Sequence, residues 1–363
     1  MASRLGGHDY GVRALAFVAA GGILIGAGVR SSGADPVASS AKRVVVSVAL
    51  PRGPTYEAIA AVDGKLVLSG GRNASLFTSA SDAMGAGRCD SVVVDPATLA
   101  LSEQRSRNCD DPRLYGVHAL VVNSFINGNA DGGNVRIAHV TPHGYVLGPI
   151  VMTYTELSDT DAEWIYGDGY VWIYDNLTTH GSELLRVSAT TGTVLQTVRM
   201  PSIDRPLIAA NADGFWLAPA TNSSGHGLYH LAPGMSRPVS VWPVSQGAIW
   251  MVASGHSVWL DLNNYPRHQT LLRFDGQRLA RHLPSAFSLS EGEFGYGQPK
   301  YVGGANGIWT VQDQNVVRID PDTAHAYTAV RIPGAYGQPT PVILDGFLFV
   351  LESPLRLYRV PLG

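Results

Sequence analysis

Residues 162–200, AEWIYGDGYVWIYDNLTTHGSELLRVSATTGTVLQTVRM, constrain the fold of this chain more than any other stretch. They hold four short runs rich in Val, Ile, Tyr and Trp, separated by an Asp168-Gly169 turn, a polar loop and a Thr191-Gly192 turn. Such runs, with turn residues every few positions, signal a β-meander and not helices. Weaker copies recur along most of the chain. The middles of the second runs fall at Leu66, Leu120, Val171, Trp216, Trp259, Trp309 and Leu348, a mean spacing of about 47 residues. Four strands in each such period predict a β-propeller.

The last unit, from Pro341, has only three strands, while RVVVSVALP, from Arg43, has no hairpin partner of its own. Adding that orphan strand to the last unit completes it and removes a free edge. The expectation is an all-β, seven-bladed β-propeller over residues 43–363, closed by its N-terminal strand. A two-sheet sandwich or a solenoid explains neither the spare strand nor the truncated unit. The 41 Gly, 22 Pro and only 15% charged residues suit many short strands joined by tight turns. Formal charge is −3 with no basic run past the first residues, which argues against a nucleic-acid partner.

Residues 1–42 read differently. Arg4 and Arg13 precede the uncharged run ALAFVAAGGILIGAGV, and a polar segment with small residues follows. That order predicts an export signal, or an N-terminal membrane anchor if it is not cleaved. The chain is expected outside the cytoplasm, secreted or tethered to the membrane. In that oxidising setting Cys89 and Cys109, which flank a hairpin turning at Asp95-Pro96, are expected to form a disulfide. Its loop closure is worth about 3 kcal/mol in the chain-entropy model.

Two hairpins share a D-P-x-T turn, at Asp95-Pro96-Ala97-Thr98 and Asp320-Pro321-Asp322-Thr323. Asp caps such a turn while Pro presets φ at the next position. Trp172, Trp216, Trp259 and Trp309 recur at equivalent strand positions and are read as packing between blades. Units with a Gly and then a Trp in the second strand, and an I-D-P-x-T turn in the hairpin, resemble extracytoplasmic propellers of the YVTN, NHL and streptogramin-lyase-like superfamily. The resemblance implies the fold over roughly residues 43–363. Lyases of that kind use His and Glu with a bound divalent metal, and no motif here receives those residues one by one. Quinoprotein propellers carry a Trp shortly after the hairpin turn. The matching stretches TTGTVLQTV and DTAHAYTAV lack it, which argues against a quinone cofactor.

In a four-stranded blade the loop between strands two and three and the link to the next blade share one face. The long loops of this chain collect there, and such rims concentrate binding residues. Two constellations fall on that face. His180, His226 and His268 precede third strands in three consecutive units and are candidate ligands for a divalent metal. Tyr56, Glu57, His118, Glu163, Arg205 and Lys300 lie where innermost strands begin and are candidate ligand-binding residues around the channel mouth. Acidic groups at Asp159, Asp161 and Glu163, and at Glu291 and Glu293, match no calcium-hand spacing. Asn73, Asn176 and Asn222 open glycosylation sequons. The reading is a binding propeller for a protein, peptide, glycan or small ligand, with a metal-assisted lyase or hydrolase using the face's histidines as the alternative.

Overall fold

The computed structural model describes residues 45–51, 55–71, 89–106, 120–125, 133–141, 144–154, 163–176, 181–204, 206–220, 223, 225–243, 247–262, 270–284, 301–304, 306–312, 314–323, 325–332, 340–352 and 356–362. Among the described residues all regular structure is β, and no helix is long and apolar enough to cross a membrane. The expected export segment and Cys109 lie outside them.

Strand β1 (Val46–Ala49) precedes a succession of sheets. Strands β2 (Thr55–Val62), β3 (Lys65–Gly71), β4 (Cys89–Val94) and β5 (Leu101–Ser106) form the first. The second has β6 (Leu120–Phe125), β7 (Gly133–Thr141) and β8 (Gly144–Tyr154). The third is β9 (Glu163–Gly167), β10 (Tyr170–Asp175), β11 (Ser182–Ser188) and β12 (Val194–Met200). The fourth is β13 (Pro206–Asn211), β14 (Gly214–Pro219), β15 (Leu228–Leu231) and β16 (Val239–Trp242). The fifth is β17 (Ala248–Ser254), β18 (Ser257–Leu262), β19 (Thr270–Asp275) and β20 (Arg278–Pro284). The sixth is β21 (Tyr301–Gly304), β22 (Gly307–Gln312), β23 (Asn315–Ile319) and β24 (Ala326–Arg331). The last holds β25 (Thr340–Leu344), β26 (Phe347–Glu352) and β27 (Arg356–Pro361), and β1 joins it antiparallel to β27, Val46 opposite Arg359. Consecutive antiparallel sheets, four-stranded except for the three described strands of the second, packed face to face make this a β-propeller.

Local chemistry sets each hairpin. At Asp63-Gly64, Asp168-Gly169 and Asp345-Gly346 both central residues have positive φ, 50–52° for Asp and 70–80° for Gly. That is the type I′ geometry whose twist matches the flanking strands, and Asp and Gly tolerate it best. In both D-P-x-T turns the Asp carboxylate accepts the backbone N–H two and three residues on, at 2.9–3.1 Å, and the Thr hydroxyl.

The core lies between sheets. Trp172, Trp216, Trp259 and Trp309 are at most 1% exposed. Each faces the following sheet: Trp172 meets Phe215 at 5.8 Å between centroids, and Trp216 meets Phe274 at 6.1 Å. Trp259 joins Tyr301 and Ile308 in one cluster, and Trp309 joins Leu348 and Val350 in another. Phe349 of the last sheet packs with Leu66, Leu68 and Val92 of the first. Burying a Trp side chain contributes about 4–6 kcal/mol of transfer free energy before entropy is counted. Innermost strands approach closely too. A Cβ on Gly303 would sit 1.9 Å from the Ala253 carbonyl oxygen, so only Gly fits there.

A second repeat accompanies the tryptophans. Arg186, Arg273, Arg318 and Arg359 stand on third strands directly opposite Trp172, Trp259, Trp309 and Phe349, and His230 stands opposite Trp216. Their guanidinium carbons lie 5.4–5.8 Å from the facing Trp ring centroids, or 5.0 Å above Phe347 for Arg359. Arg136 holds the same place in β7, opposite Val122, which marks β6–β8 as strands two to four of their unit. Two of these arginines reach the next unit's D-P-x-T turn. Arg273 Nη1 lies 3.3 Å from Asp322 Oδ1, and Arg359 Nη1 donates to the carbonyls of Pro96, at 2.9 Å, and Ala97. The turn is thus a receptor for the preceding unit's arginine.

Candidate functional site

Alternate strand ends define two faces. On one, tight turns cluster, and the Ala189 N–H donates to the Gly169 carbonyl at 3.1 Å, joining the two turns of the third sheet. On the other, the Tyr174 hydroxyl donates to the Pro201 carbonyl and accepts the Ile203 N–H. Asn176 Oδ1 there accepts from Ser182 and Ser202 hydroxyls at 2.6 and 2.8 Å. The exit of β10, the entry of β11 and the link to β13 are therefore tied together at the loop face. Asn176 is a buried anchor of this knot, so its sequon is sterically unsuited to glycosylation in the folded state.

The predicted site residues fall as follows. Tyr56 and Glu57 lie in β2, where a bulge leaves Glu57 between the pairs Tyr56–Gly70 and Ala58–Ser69. Glu163 opens β9, half-buried and opposite Tyr174. His226 is exposed between Gly225 and Gly227, ahead of β15. Cys89 opens β4, paired with Ser106 and Gly71. His118, His180, Arg205, His268 and Lys300 lie outside the described residues, as does Cys109. Among the described residues no disulfide is present and no group of three His, Cys, Asp or Glu gathers as metal ligands. Of the predicted constellations, only His226 of the three histidines and Tyr56, Glu57 and Glu163 of the six channel-mouth residues fall among the described residues.

A different cluster stands just beneath the loop face, between the fifth and sixth sheets. Asp261, near the loop end of β18, is fully buried, and neither carboxyl oxygen has a hydrogen-bond partner among the described residues. Trp250 sits directly opposite it across the β17–β18 ladder, re-aimed by a bulge at Ile249. Tyr301, the first residue of β21, stacks on Trp250 with centroids 4.3 Å apart and an interplanar angle of 21°. Among the described residues the Trp250 indole N–H and the Tyr301 hydroxyl also lack partners. Burial pushes the Asp261 carboxyl up to about 8, so it is protonated at neutral pH. The Trp250 N–H is near enough to temper that rise, yet makes no hydrogen bond of ordinary geometry. Burial also raises the Tyr301 hydroxyl, and the neighbouring Asp261 charge adds to it.

The repeat shows how unusual Asp261 is. Two residues past the conserved-register aromatic, other second strands place Tyr174, Ala218, Val311 and Leu351, all buried. Here alone among those five positions a carboxyl occupies the apolar site. The other buried carboxylates at this end, Asp175 and Glu352, have partners; Tyr358 donates to Glu352 at 2.8 Å. An unpartnered buried polar group costs about 1–3 kcal/mol, and such costs concentrate at functional sites.

No protein-family model matches the sequence, and no curated protein sequence matches it either. Solved structures match the fold. The β-propeller domain of the Trilobed protease from Pyrococcus furiosus superposes with a TM-score of 0.53 at 9% identity, over 86% of this chain and 97% of that one. An uncharacterized protein from Listeria monocytogenes gives 0.50 at 10% identity, over 85% and 92%. A prolyl endopeptidase gives 0.53 at 13% identity, over 83% of this chain but 46% of the enzyme chain. At these identities the likeness extends to the β-propeller fold alone.

Neither Asp261 nor the arginine ladder is among the residues that spacing and loop length single out. The ladder has a signal in the sequence: an Arg between apolar or aromatic residues in VRI, LRV, LRF, VRI and YRV, in the third strands β7, β11, β19, β23 and β27. Asp261 has one as well. In WLD an acid replaces the core-facing residue that WIY, WLA and WTV keep apolar or aromatic.

Proposed function

We propose that this chain is an exported or membrane-tethered propeller that binds a protein, peptide, glycan or small ligand on its long-loop face. In this reading it has seven blades closed by β1 and belongs with the YVTN, NHL and streptogramin-lyase-like propellers. The pairing of β1 with β27 and the packing of Phe349 against the first sheet support closure. The apolar run after Arg13 supports export. One observation carries the binding role: the Asp261 carboxyl is buried just beneath the loop face with no partner among the described residues, where the equivalent positions of other sheets are apolar or hydrogen-bonded. A purely structural ring gains nothing from that residue.

The test is a thermal-shift screen of the purified chain against peptides, glycans and small metabolites, repeated on Glu57→Ala, Glu163→Ala and Arg205→Ala. The expected ligand loses its effect in these loop-face variants and keeps it in Asp168→Gly, a change in a tight turn of the opposite face. A ligand that stabilises all three loop-face variants as well as the parent chain refutes the reading.

A further inference from the structure

We propose that Asp261, Trp250 and Tyr301 form a binding site for an organic monocation, an ammonium or guanidinium group that pairs with Asp261 and lies against the two rings. This deepens the binding role just given and rests on it. Three features select a cation. Both Asp261 oxygens are sealed from solvent with no hydrogen-bond partner among the described residues, and no Lys or Arg there acts on them. The stacked Trp250 and Tyr301 rings supply the aromatic faces to which cations are drawn. The molecule pairs these groups elsewhere, setting a guanidinium 5.4–5.8 Å from the ring centroids of Trp172, Trp259 and Trp309. The Asp261 cluster has the aromatic rings and the acid and, among the described residues, no cation.

Competing occupants fit less well. A single carboxyl supplies too few oxygens for calcium or magnesium. An anion would meet Asp261 with no compensating charge. A bridging water satisfies the same three groups and predicts no preference for charge. Trp250 and Tyr301 are only 5% and 4% exposed, so a ligand enters when one ring turns aside. Trp250 is one of seven Trp, so entry is read as a change in Trp fluorescence that a Trp250→Phe variant should lose.

Protonation supplies an independent signature. At neutral pH the cation replaces the Asp261 proton, which passes to the buffer. Tyr301 is the titratable group facing Asp261 from β21, and it stays protonated throughout. On β17 Trp250 does not titrate, and on β19 Arg273 and Asp275 pair with each other at 2.8 Å.

The experiment titrates the full chain with propylammonium and methylguanidinium, and with their neutral counterparts propanol and methylurea, followed by Trp fluorescence and by calorimetry in two buffers of different ionisation enthalpy. The expected result is binding of at least one cation, no binding of its neutral counterpart, and release of close to one proton at pH 7. Asp261→Asn, an isostere of the protonated acid, should weaken that cation by on the order of 30-fold or more while folding normally. Equal binding of cation and counterpart, an unchanged affinity in Asp261→Asn, or binding of neither cation overturns the proposal. In the last case a screened ligand that Glu163→Ala still abolishes leaves the loop-face role intact, so the two readings fail separately.

Discussion

Replacing Asp261 by Asn should make the chain's stability less sensitive to pH, in a direction and amount that follow from burial. In the folded chain the carboxyl holds its proton up to about pH 8, against about 3.9 when unfolded. Between those values the folded state carries a proton that the unfolded state has lost. Folding stability therefore falls as pH rises, by about 1.4 kcal/mol per pH unit. The contribution is fully present below about pH 4 and is lost as pH climbs through about 8. From pH 5 to pH 7.5 the parent chain loses about 3 kcal/mol that Asp261→Asn does not. With about 2.1 cal/mol/K of unfolding entropy per residue over the propeller, the gap between the two melting temperatures should widen by about 5 °C. Thermal melts of both proteins at half-unit steps of pH, followed by Trp fluorescence, measure it. Melting curves that stay a fixed distance apart from pH 5 to 7.5 would show that Asp261 is already charged in the fold, and the burial argument would fail.

Other outcomes follow from the same geometry. Arg359→Ala removes the contacts to the Pro96 and Ala97 carbonyls and should cost about 1.5–3 kcal/mol, with faster amide exchange across residues 95–100; unchanged exchange there refutes the latch. Gly303→Ala drives a methyl into the Ala253 carbonyl and should destabilise the chain by about 1–3 kcal/mol, read as a lower melting temperature. Asp261→Leu, which copies the residue at the matching place in the last sheet, should raise stability at pH 7.5 more than at pH 5; a uniform loss at both would mean the site has no room for Leu. Non-reducing mass analysis of exported chain should show the mass of two hydrogens lost through a Cys89–Cys109 bond, and two free thiols would exclude that disulfide.

Much of the architecture was legible because it rests on local chemistry. Asp-Gly pairs accept positive φ, so the hairpins at Gly64, Gly169 and Gly346 sit where the sequence puts them. Trp residues spaced by one repeat fill one kind of position, and burying them needs only a neighbouring copy of the same unit. The orphan strand at Val46 was visible by subtraction, since one unit was a strand short. The site was less legible. His226 stands exposed between two glycines, and nothing in its spacing to other histidines fixes where its side chain points. Asn176 looked like a loop-face residue, yet two serines, one beyond the next two strands, pull it inward.

The sequence by itself determined strand, turn and repeat, because each depends on φ preferences and side-chain alternation within a few residues. Only the tertiary structure decided what stands between sheets. Asp261 and Trp250 are eleven residues apart and meet through strand register, while Tyr301 arrives from the next sheet, forty residues further on. Whether a carboxyl in such a repeat is solvated or sealed depends on which neighbour's ring covers it. That is a property of packing, and here the covering ring stacks on Trp250 and leaves the acid uncharged.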